Sequence, residues 1–502
     1  MSSITPRIYQ ISPKIKQFLL SNKPIQSVHS LFKSEGYKIR IAGGWVRDAC
    51  VLNKEVNDID LATDATPEQM LSMMEKHNIR TFNNNGILHG TVSCLIENEN
   101  IEITTLRSDL TTDGRHAEVK FHKNWQMDAE RRDLTIGAMF LDLDDFTVID
   151  YYNGYEDCLN GKCVFVGSAE RRITEDYLRI LRYFRFLGRM NENLAKTPEI
   201  FMAKKDLETL NTINNLKNGL NNIANERKWV EISKMITDKH GLAHKLFHLM
   251  LNDCQLKDGI GLKILKNQDE IDDYLLNFEK MYLKQNRIIN IINDVLKGEN
   301  EEQNCYKITP AIPFLCPLVT EDKILQASKF MKMSNAHRDD ALYAIKYQNL
   351  LDEFLNVDCP DQLQKNLQKL CFRFNRLVPN IKQRLIYMVL CHQSLKKNTA
   401  SRTATDSGEN LLENPEIIRN IFSKSYEIAK LPVNGTDLTQ HLKITNPKEK
   451  RFLQPIIQKL SDNYEESFFT IGKEELLMKS VSYYEEFKNL PDRKDRKKAK
   501  NN

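Results

Sequence analysis

Long hydrophobic runs are missing from this sequence of 502 residues. No apolar stretch reaches the ~18 residues that a helix needs to cross a membrane, which argues against an integral membrane protein. Glycine is scarce as well: only 19 residues are glycine, which excludes a collagen-like chain. Of these glycines, 11 fall within the first 190 positions. This uneven distribution predicts a mixed α/β region first and a mostly helical region after it.

Paired cysteines and a secretion signal are also absent. The ten cysteines are scattered without a CxxC pair, which is typical of reduced thiols in an intracellular protein. The first 34 residues carry five basic side chains and no acid, as in a weak mitochondrial presequence. Apolar residues at helical spacing in the same segment, such as Ile15 and Leu19, equally predict a first helix of the fold. The compartment stays open between cytoplasm, nucleus and mitochondrion.

A strong overall charge is lacking too, since the formal net charge is only +4. The last 15 residues, Lys488–Asn502, contain seven basic and two acidic side chains, so the rest of the chain is close to neutral. This distribution excludes a uniformly basic nucleic-acid coat, and any nucleic-acid contact must come from a local patch. The basic end is predicted to be disordered.

Short β patterns and short helices alternate between residues 37 and 165, whereas helical patterns dominate from Thr174 onward. The predicted fold class is therefore α+β, with a mixed β-sheet in the first part and an all-α remainder. The polar stretch Ser108–Met127 is predicted to be a mobile loop. The segments expected to be strands are Tyr37–Ala42, Asp58–Ala62, Thr91–Ile96, Ile101–Leu106 and Thr147–Tyr152.

The first candidate motif is GGWVRD at Gly43–Asp48, between a predicted strand and a predicted helix. Gly43 and Gly44 let the backbone approach a ligand closely, and the N–H groups at a helix start attract an anion. Arg47, one turn into the helix, has the planar donors that suit a phosphate. Taken alone, however, a pair of glycines is explained more simply by an ordinary strand-to-helix turn.

The second motif is the pair Asp58 and Asp60. Residues two apart in a strand point to the same face, so these carboxylates repel each other unless a cation lies between them. Mg²⁺ prefers carboxylate oxygens together with phosphates and water. Because the pair follows the glycine motif on a neighbouring predicted strand, the glycine turn would hold a triphosphate beside the metal. Glu102, in the strand predicted at 101–106, is a candidate third carboxylate.

The third motif, ERRDLTIGAM, contains Arg131, Arg132 and Asp133. Two adjacent arginines followed by an aspartate either bind a ribose and a phosphate or pair with each other locally. The motif alone does not decide between these two interpretations.

The fourth motif, EDYLRILRYFR, lies in a helix predicted to begin with Thr174 as its N-cap. Glu175 and Arg179 have the spacing of an ordinary i,i+4 ion pair. Three arginines recur every three residues along the same helix, at Arg179, Arg182 and Arg185. A stripe of like charge does not stabilise a helix, so the pattern indicates a role in binding.

Taken in order, GGxVRD, DxD, RRD and EDxxRxxR form a specific signal. The sequence resembles the class II tRNA nucleotidyltransferases, the CCA-adding enzymes of the polymerase-β superfamily. The resemblance extends over residues 37–235, including DYYNGYED at Asp150–Asp157 and the pair Glu226 and Arg227, and it is loose elsewhere. One departure is Gly137, at a position where the family usually has an asparagine that helps to hold the site geometry.

The resemblance implies template-independent addition of CCA to the 3′ end of tRNA from CTP and ATP, with release of pyrophosphate. Two Mg²⁺ ions would be held by Asp58 and Asp60. The implied triphosphate-binding residues are Gly43, Gly44 and Arg47, and those for the ribose are Arg132 and Asp133.

Nucleotide choice is implied to depend on Asp176 and Arg179, which would form hydrogen bonds with the Watson–Crick edge of cytosine or adenine. Arg182 and Arg185 would orient that pair or the phosphates. A switch from C to A is linked in the family to a loop, which the resemblance places at Asp113, Gly114 and Arg115. The implied partners are tRNA, CTP and ATP, with no membrane, and monomer and homodimer both remain open.

The resemblance also implies a polymerase-β-like head followed by a helical neck, body and tail. The predicted bounds are an N-terminal extension or first helix at 1–36, a catalytic head at 37–170, a neck at 171–270, a body at 271–394, a linker or insertion at 395–414, a tRNA-binding tail at 415–487 and a basic C-terminus at 488–502.

Three alternatives remain. A bacterial-type poly(A) polymerase shares the head motifs, but the stretch Ser108–Met127 favours CCA addition. A partial enzyme that adds only CC or only A has the same motifs. A catalytically silent tRNA-binding protein would have no reason to keep the two repelling carboxylates of Asp58 and Asp60.

Overall fold

The chain divides into two compact units. The first contains Met1–Tyr282 with Pro313–Leu318 and Asp322–Arg338, and the second contains Leu283–Ile312, Val319–Glu321 and Asp339–Asn502. The computed structural model describes residues 4–56, 58–82, 84–111, 118–190, 206–238, 242–296, 309–347, 351, 354, 360–375, 381–395, 415–422 and 427–489. Within these ranges, no helix has both the length and the apolar character that a membrane crossing requires.

A mixed sheet forms the framework of the first unit. The order of its eight described strands is β1-β10-β9-β2-β3-β6-β5-β4, and only the β3–β6 pair is parallel. A separate hairpin pairs β7 with β8. The strands are β1 (Arg7–Gln10), β2 (Ile39–Ala42), β3 (Leu61–Thr63), β4 (Thr81–Phe82), β5 (Thr91–Ile96), β6 (Glu99–Thr105), β7 (Arg107–Thr111), β8 (Glu118–Phe121), β9 (Met139–Asp142) and β10 (Thr147–Asp150).

Helices dominate the chain after the sheet, and the predicted α+β class is confirmed. The described helices are α1 (Pro13–Ser21), α2 (Lys23–Ser34), α3 (Pro67–Lys76), α4 (Trp125–Glu130), α5 (Gly154–Leu159), α6 (Ala169–Glu175), α7 (Arg179–Met190), α8 (Leu207–Leu216), α9 (Asn225–Ile236), α10 (Ala243–His248), α11 (Gln268–Val295), α12 (Ala311–Leu315), α13 (Glu321–Phe330), α14 (Asn335–Lys346), α15 (Pro360–Asn375), α16 (Ile381–Leu395), α17 (Pro415–Phe422), α18 (Gly435–His441), α19 (Leu453–Glu466) and α20 (Lys473–Lys488).

The basic N-terminal segment is part of the sheet domain. Strand β1 pairs antiparallel with β10 and forms one edge of the sheet. Helix α1 begins at the N-cap Ser12, followed directly by Pro13, and buries Leu19. Helix α2 buries Val28 and Phe32. The apolar residues at helical spacing in this segment therefore lie in two helices, α1 and α2.

The two faces of the sheet are covered by different helices. Helices α2 and α3 pack on one face, against β2 and β5. On the other face, Ala42, Ala62 and Phe140 form a buried cluster with Trp125 and Ala129 of α4. Small residues on β2 and β3 let α4 approach closely, so the segment after α4 reaches the end of β2.

The stretch predicted to be a mobile loop contains regular structure. Strands β7 and β8 pair within Ser108–Met127, and α4 begins at Trp125 with Asn124 as its N-cap. The prediction failed because main-chain pairing satisfies a polar hairpin without the alternating apolar residues by which strands are recognised. Residues 112–117, and with them Asp113, Gly114 and Arg115, lie outside the described residues.

The regular elements described in the second unit are all helices, and α15 and α18–α20 enclose a core. This core includes Phe372, Leu438, Leu460 and Leu476. A bidentate ion pair links Arg373 of α15 to Glu465 of α19. The predicted bounds of neck, body and tail stay predictions.

The DYYNGYED motif is a structural support. The buried Asp150 carboxylate accepts hydrogen bonds from the backbone N–H groups of Tyr152, Gly154 and Tyr155, which fixes the start of α5. A Cβ atom on Gly154 would lie 2.1 Å from the carbonyl oxygen of Thr135. Helix α5 therefore packs directly on the 3₁₀ turn Thr135–Gly137.

We expect Gly154→Ala to destabilise the protein by about 3 kcal/mol or more, since the added methyl meets backbone that cannot rotate away. Gly137→Ala is the matched control in the adjoining turn, because a Cβ there has open space within 4 Å. Its cost should stay near 0.5 kcal/mol. Urea unfolding followed by circular dichroism measures both. Equal costs for the two variants would contradict the close approach of α5.

Candidate active site

A glycine turn follows β2. Gly43 has φ +66°, in the left-handed region, and its N–H donates to the Met139 carbonyl at 3.0 Å. A Cβ atom on Gly43 would lie 2.8 Å from an Arg132 Nη atom. Backbone conformation and close packing therefore both require glycine. The predicted helix follows, as a π-helical turn at Val46–Val51.

Strand register brings the predicted carboxylates to this turn. Ile41 lies opposite Leu61, and the Ala42 N–H donates to the Asp60 carbonyl at 2.9 Å, so Asp60 lies opposite the residue before Gly43. In the parallel β3–β6 pair, Leu61 is aligned with Ile103. One step back along both strands, Asp60 therefore lies beside Glu102.

The predicted strand Asp58–Ala62 is wrong in its bounds. Strand β3 begins at Leu61, so Asp58 and Asp60 lie in the segment before it. The pairing of β2 with β3 ends there because the chain leaves β2 at its glycine turn. Asp60 keeps one backbone hydrogen bond to β2, from the Ala42 N–H, while Asp58 lies beyond the paired residues.

The electrostatics of Asp60 indicate a shortage of positive charge. Partial burial, and after it the neighbouring Asp58 carboxylate, raise the pKa of Asp60. The Glu102 carboxylate adds to this effect, and the Arg132 guanidinium opposes it. A cation at this position would relieve the repulsion. The described residues contain no cluster of three or more His, Cys, Asp or Glu side chains arranged for a metal.

These residues fit Mg²⁺ in one particular way. Mg²⁺ keeps several waters and commonly binds through one or two carboxylates plus substrate phosphates. The Asp58 and Asp60 pair would supply the carboxylates, and a phosphate beside the glycine turn would supply the remaining oxygens.

Arg47 is buried and paired with its neighbour Asp48. Its guanidinium forms two hydrogen bonds with the Asp48 carboxylate, at 2.9 and 2.7 Å, and lies over the Phe186 ring. Arg189 of α7 also donates to Asp48, at 2.6 Å. Arg47 thus ties the turn after β2 to α7. Its predicted contact with a triphosphate stays a prediction.

Asp128 organises the RRD motif, and sequence reasoning missed it. Its buried carboxylate accepts from Arg131 Nε at 2.8 Å and from an Arg132 Nη at 3.1 Å. The other Nη of Arg132 donates to the Gly137 carbonyl at 3.0 Å. Burial alone would raise the pKa of Asp128, but the two guanidinium groups hold it below its usual value. The i, i+3 and i, i+4 spacing in DAERR was the available signal.

The fourth motif spans a break between two helices. Helix α6 ends at Glu175, and α7 begins at Arg179. Thr174 is not an N-cap: it lies in the last turn of α6, where its hydroxyl donates to the Glu170 carbonyl at 2.9 Å. The Asp176 carboxylate accepts from the Leu178 N–H at 3.0 Å, a local bond that competes with helix continuation.

Asp176 and Arg179 have different partners. Asp176 accepts from Arg227 of α9 at 2.9 Å. Arg179 donates to Glu175 at 2.6 Å, the predicted i,i+4 pair, and to the Arg172 carbonyl at 2.9 Å. Arg227 was noted in the sequence but not as a partner of Asp176, since nothing local indicates a contact across 51 positions.

The arginine stripe of α7 faces acidic side chains. Arg182 donates to Asp133 at 2.5 Å, and Arg185 lies 2.9 Å from the buried Glu231 of α9. Burial would raise the pKa of Asp133, but the Arg182 guanidinium holds it below its usual value. Glu231 is a second residue that the sequence did not reveal. Its position four residues after Arg227, on one face of α9, is a weak signal.

Comparison with known proteins bears on the head first. Residues 39–164 match the poly A polymerase head domain. The chain is also 47% identical over 261 residues to human CCA tRNA nucleotidyltransferase 1, mitochondrial, which covers 52% of this chain and 57% of that protein. With the CCA-adding enzyme of Bacillus subtilis it shares 35% identity over 203 residues, 40% of this chain and 47% of that enzyme. The resemblance predicted from the motifs is confirmed.

Similarity to solved structures extends over more of the chain than sequence similarity to the curated relatives does. The chain spans about half the length of the curated relatives it matches. The structure of Thermotoga maritima CCA-adding enzyme complexed with tRNA_CCA is similar over 96% of this chain and 99% of that one, with a TM-score of 0.56 and 17% identity. The structure of the Bacillus stearothermophilus CCA-adding enzyme in complex with CTP is similar over 92% of this chain and 99% of that one, with a TM-score of 0.54 and 21% identity. At these identities the likeness shows a shared fold.

We expect Asp128→Asn to cost about 3–5 kcal/mol at pH 7, because both arginines lose the buried charge they pair with. The folded-state pKa of Asp128 lies below its unfolded value, so this stabilisation is present above pH ~4 and is lost as the pH falls through the folded pKa. The difference in the free energy of unfolding between wild type and variant should therefore become smaller as the pH falls below about 4.

Urea unfolding at pH 7 and at descending pH measures this difference. Asp144→Asn is the control, since Asp144 pairs with Lys33 at the surface and should cost no more than about 1 kcal/mol. If the free energy of unfolding that Asp128→Asn loses relative to wild type is independent of pH, the lost interaction is not ionic.

Proposed function

We propose that this protein adds CCA to the 3′ end of tRNA, using CTP and ATP and releasing pyrophosphate. The observation that carries the proposal is the strand register that brings Asp60 beside both Glu102 and the Gly43 turn. The names of the relatives, CCA tRNA nucleotidyltransferase and CCA-adding enzyme, support the same activity.

In this proposal Asp58 and Asp60 hold Mg²⁺, with Glu102 as a further catalytic carboxylate. The raised pKa of Asp60, which burial and Asp58 cause, supports a cation there. When bound, the metal makes the 3′-hydroxyl of the tRNA a better nucleophile and neutralises the leaving pyrophosphate. That hydroxyl oxygen attacks the α-phosphorus of the nucleotide, the bond from this phosphorus to the pyrophosphate oxygen breaks, and the hydroxyl proton is released to water.

The nucleotide is proposed to lie along the glycine turn. Gly43 and Gly44 let the triphosphate approach the backbone closely. Arg47 binds the triphosphate by replacing part of its hydrogen bonding with Asp48 by bonds to phosphate oxygens. Arg132 and Asp133 contact the ribose. The ion pairs of these residues with Asp128 and Arg182 support this assignment, because they fix both side chains before substrate arrives.

Base selection is assigned to Asp176 and Arg179. A carboxylate accepts from the exocyclic amine that cytosine and adenine carry at this edge, whereas uracil and guanine carry a carbonyl there. A mismatched base leaves a buried polar group unpaired, which costs ~1–3 kcal/mol. Each Asp176 oxygen has one described donor, so lone pairs remain for a base. Arg182 and Arg185 orient the pair through α7.

Two further elements complete the proposal. The segment that contains Asp113, Gly114 and Arg115 assists the change from C to A, and the helical part binds tRNA through its shape and phosphates. Relatives named as mitochondrial support a mitochondrial place of action. The cytoplasm and the nucleus, which also contain tRNA, are proposed as further sites.

The direct test uses purified protein, a tRNA transcript that lacks CCA, and each nucleotide alone or mixed. We expect a product three nucleotides longer with CTP and ATP together. Long A tails from ATP alone would instead identify a poly(A) polymerase, and products one or two nucleotides longer a partial enzyme.

In the same assay Asp58→Ala or Asp60→Ala should abolish addition and leave tRNA affinity nearly unchanged, because only the metal carboxylates are lost. Asp64→Asn is the matched control at the other end of β3, where the side chain caps the Lys38 N–H. It should stay within about twofold of wild type, since an amide oxygen also accepts. More than a few per cent of wild-type activity in Asp58→Ala would sink the metal assignment.

Asp176→Ala or Arg179→Ala should relax nucleotide choice more than it slows addition of CTP. We expect detectable incorporation of UTP or GTP, read out by product length with each nucleotide alone. Glu170→Ala, an exposed change on the preceding helix, should leave selectivity unaltered. If the variants lose CTP and ATP addition and gain nothing with UTP or GTP, the pair is structural or binds phosphate.

A further inference from the structure

Backbone hydrogen bonds hold the segment that carries Asp58 at two points among the described residues. After the π-helical turn, the Lys54 N–H donates to the Asp48 carbonyl at 2.8 Å, and Asp60 bonds to β2 as described above. Between these two points runs the chain that contains Asp58. Among the described residues, no hydrogen bond or ion pair holds the Asp58 carboxylate itself. Its position therefore depends on where the backbone is fixed.

Trp45 supplies a further anchor within this segment. Its indole Nε1–H donates to the carbonyl oxygen of Val56 at 3.2 Å, two residues before Asp58. The ring is buried, with 2% of its surface exposed. A buried indole N–H requires an acceptor, and this carbonyl is the acceptor that the fold provides.

The indole is itself held firmly. Trp45 directly follows Gly44, so its backbone belongs to the turn proposed to bind the triphosphate. The Phe18 ring of α1 stacks beside the indole with centroids 6.2 Å apart. The bond to Val56 therefore transmits the position of the glycine turn to the Asp58 segment.

We propose that Trp45 is the positioning residue for Asp58, and that it does so through its N–H group. The inference rests on the proposed metal role of Asp58. One side chain links the turn proposed for phosphate binding to the segment proposed for metal binding, so the distance between the two stays constant. Two-metal phosphoryl transfer needs this constancy, since a misplacement of 1 Å can cost about 10²-fold in rate.

The test removes the donor and keeps the ring. Trp45→Phe loses the N–H, and site-specific replacement of Trp45 by benzothienylalanine removes only the donor from a ring of nearly the same size. The matched control is Trp229→Phe, because the Trp229 indole also donates a bond, to His337 Nδ1 at 3.4 Å, and is also buried. Thermal unfolding of each variant establishes that it is folded.

The main readout is metal binding without turnover. Mn²⁺ is titrated by electron paramagnetic resonance in the presence of a CTP analogue with a methylene between its α- and β-phosphates. Both changes at position 45 should weaken Mn²⁺ binding by about five- to tenfold, and Trp229→Phe should leave it unchanged. In the addition assay the Mg²⁺ concentration for half-maximal rate should rise equally, while KM for tRNA stays within about twofold.

The outcomes separate this inference from the proposed function. Unchanged Mn²⁺ affinity in either folded position-45 variant overturns the role of Trp45, as does an equal loss in Trp229→Phe. If Trp45→Phe does not fold, the benzothienylalanine variant decides alone. A wild type that adds no nucleotide but binds Mn²⁺ more tightly than these variants would overturn the proposed function and leave the positioning role standing.

Discussion

The site depends on the position of the Arg132 guanidinium beside Gly43. A Cβ atom at Gly43 would lie 2.8 Å from an Nη atom of that guanidinium, so a residue with a side chain does not fit there. The same guanidinium bonds to Asp128 and to the Gly137 carbonyl and lies over the Phe140 ring. Strand β9, helix α4 and the glycine turn are therefore locked around one planar group.

Contacts between α5 and the Thr135–Gly137 turn fix the Arg132 guanidinium indirectly. Asp150 shapes the start of α5, whose Gly154 presses on Thr135, and Asp157 accepts from the Thr135 hydroxyl at 2.7 Å. The turn so held presents the Gly137 carbonyl to Arg132. On the far side, α7 meets the RRD segment through Arg182 and Asp133. Arginine alternates with carboxylate throughout this network, which orients charged groups in the absence of substrate.

The sequence pointed to the residues of the proposed site but not to most of the contacts between them. The motif order put the glycine turn and the aspartate pair on neighbouring predicted strands, and Ala42, the residue before Gly43, does bond to the Asp60 carbonyl. That β3 pairs in parallel with β6 could not be read, since strand order is a tertiary property. The helix break at Asp176 was missed because its carboxylate competes locally with helical bonding. Asp128 was missed although its partners lie three and four residues along the chain, because the RRD motif was interpreted without the residues before it. Glu231 was missed because its partner Arg185 lies on another helix, and such a contact leaves no local pattern.

The N-terminal strand has a consequence for how the chain can be sorted in a cell. Residues 7–34 carry the basic, acid-free composition of an import address, yet they also form β1, α1 and α2, with Phe32 fully buried. Once the chain has folded, Leu19, Val28 and Phe32 are buried and not available to a receptor. A processing protease that cut after this segment would remove the edge strand β1 from the sheet and the stacked Phe18 ring from Trp45. A targeting signal that uses these side chains would have to be recognised before the chain folds. The destination would then depend on the rate of folding relative to the rate of transport.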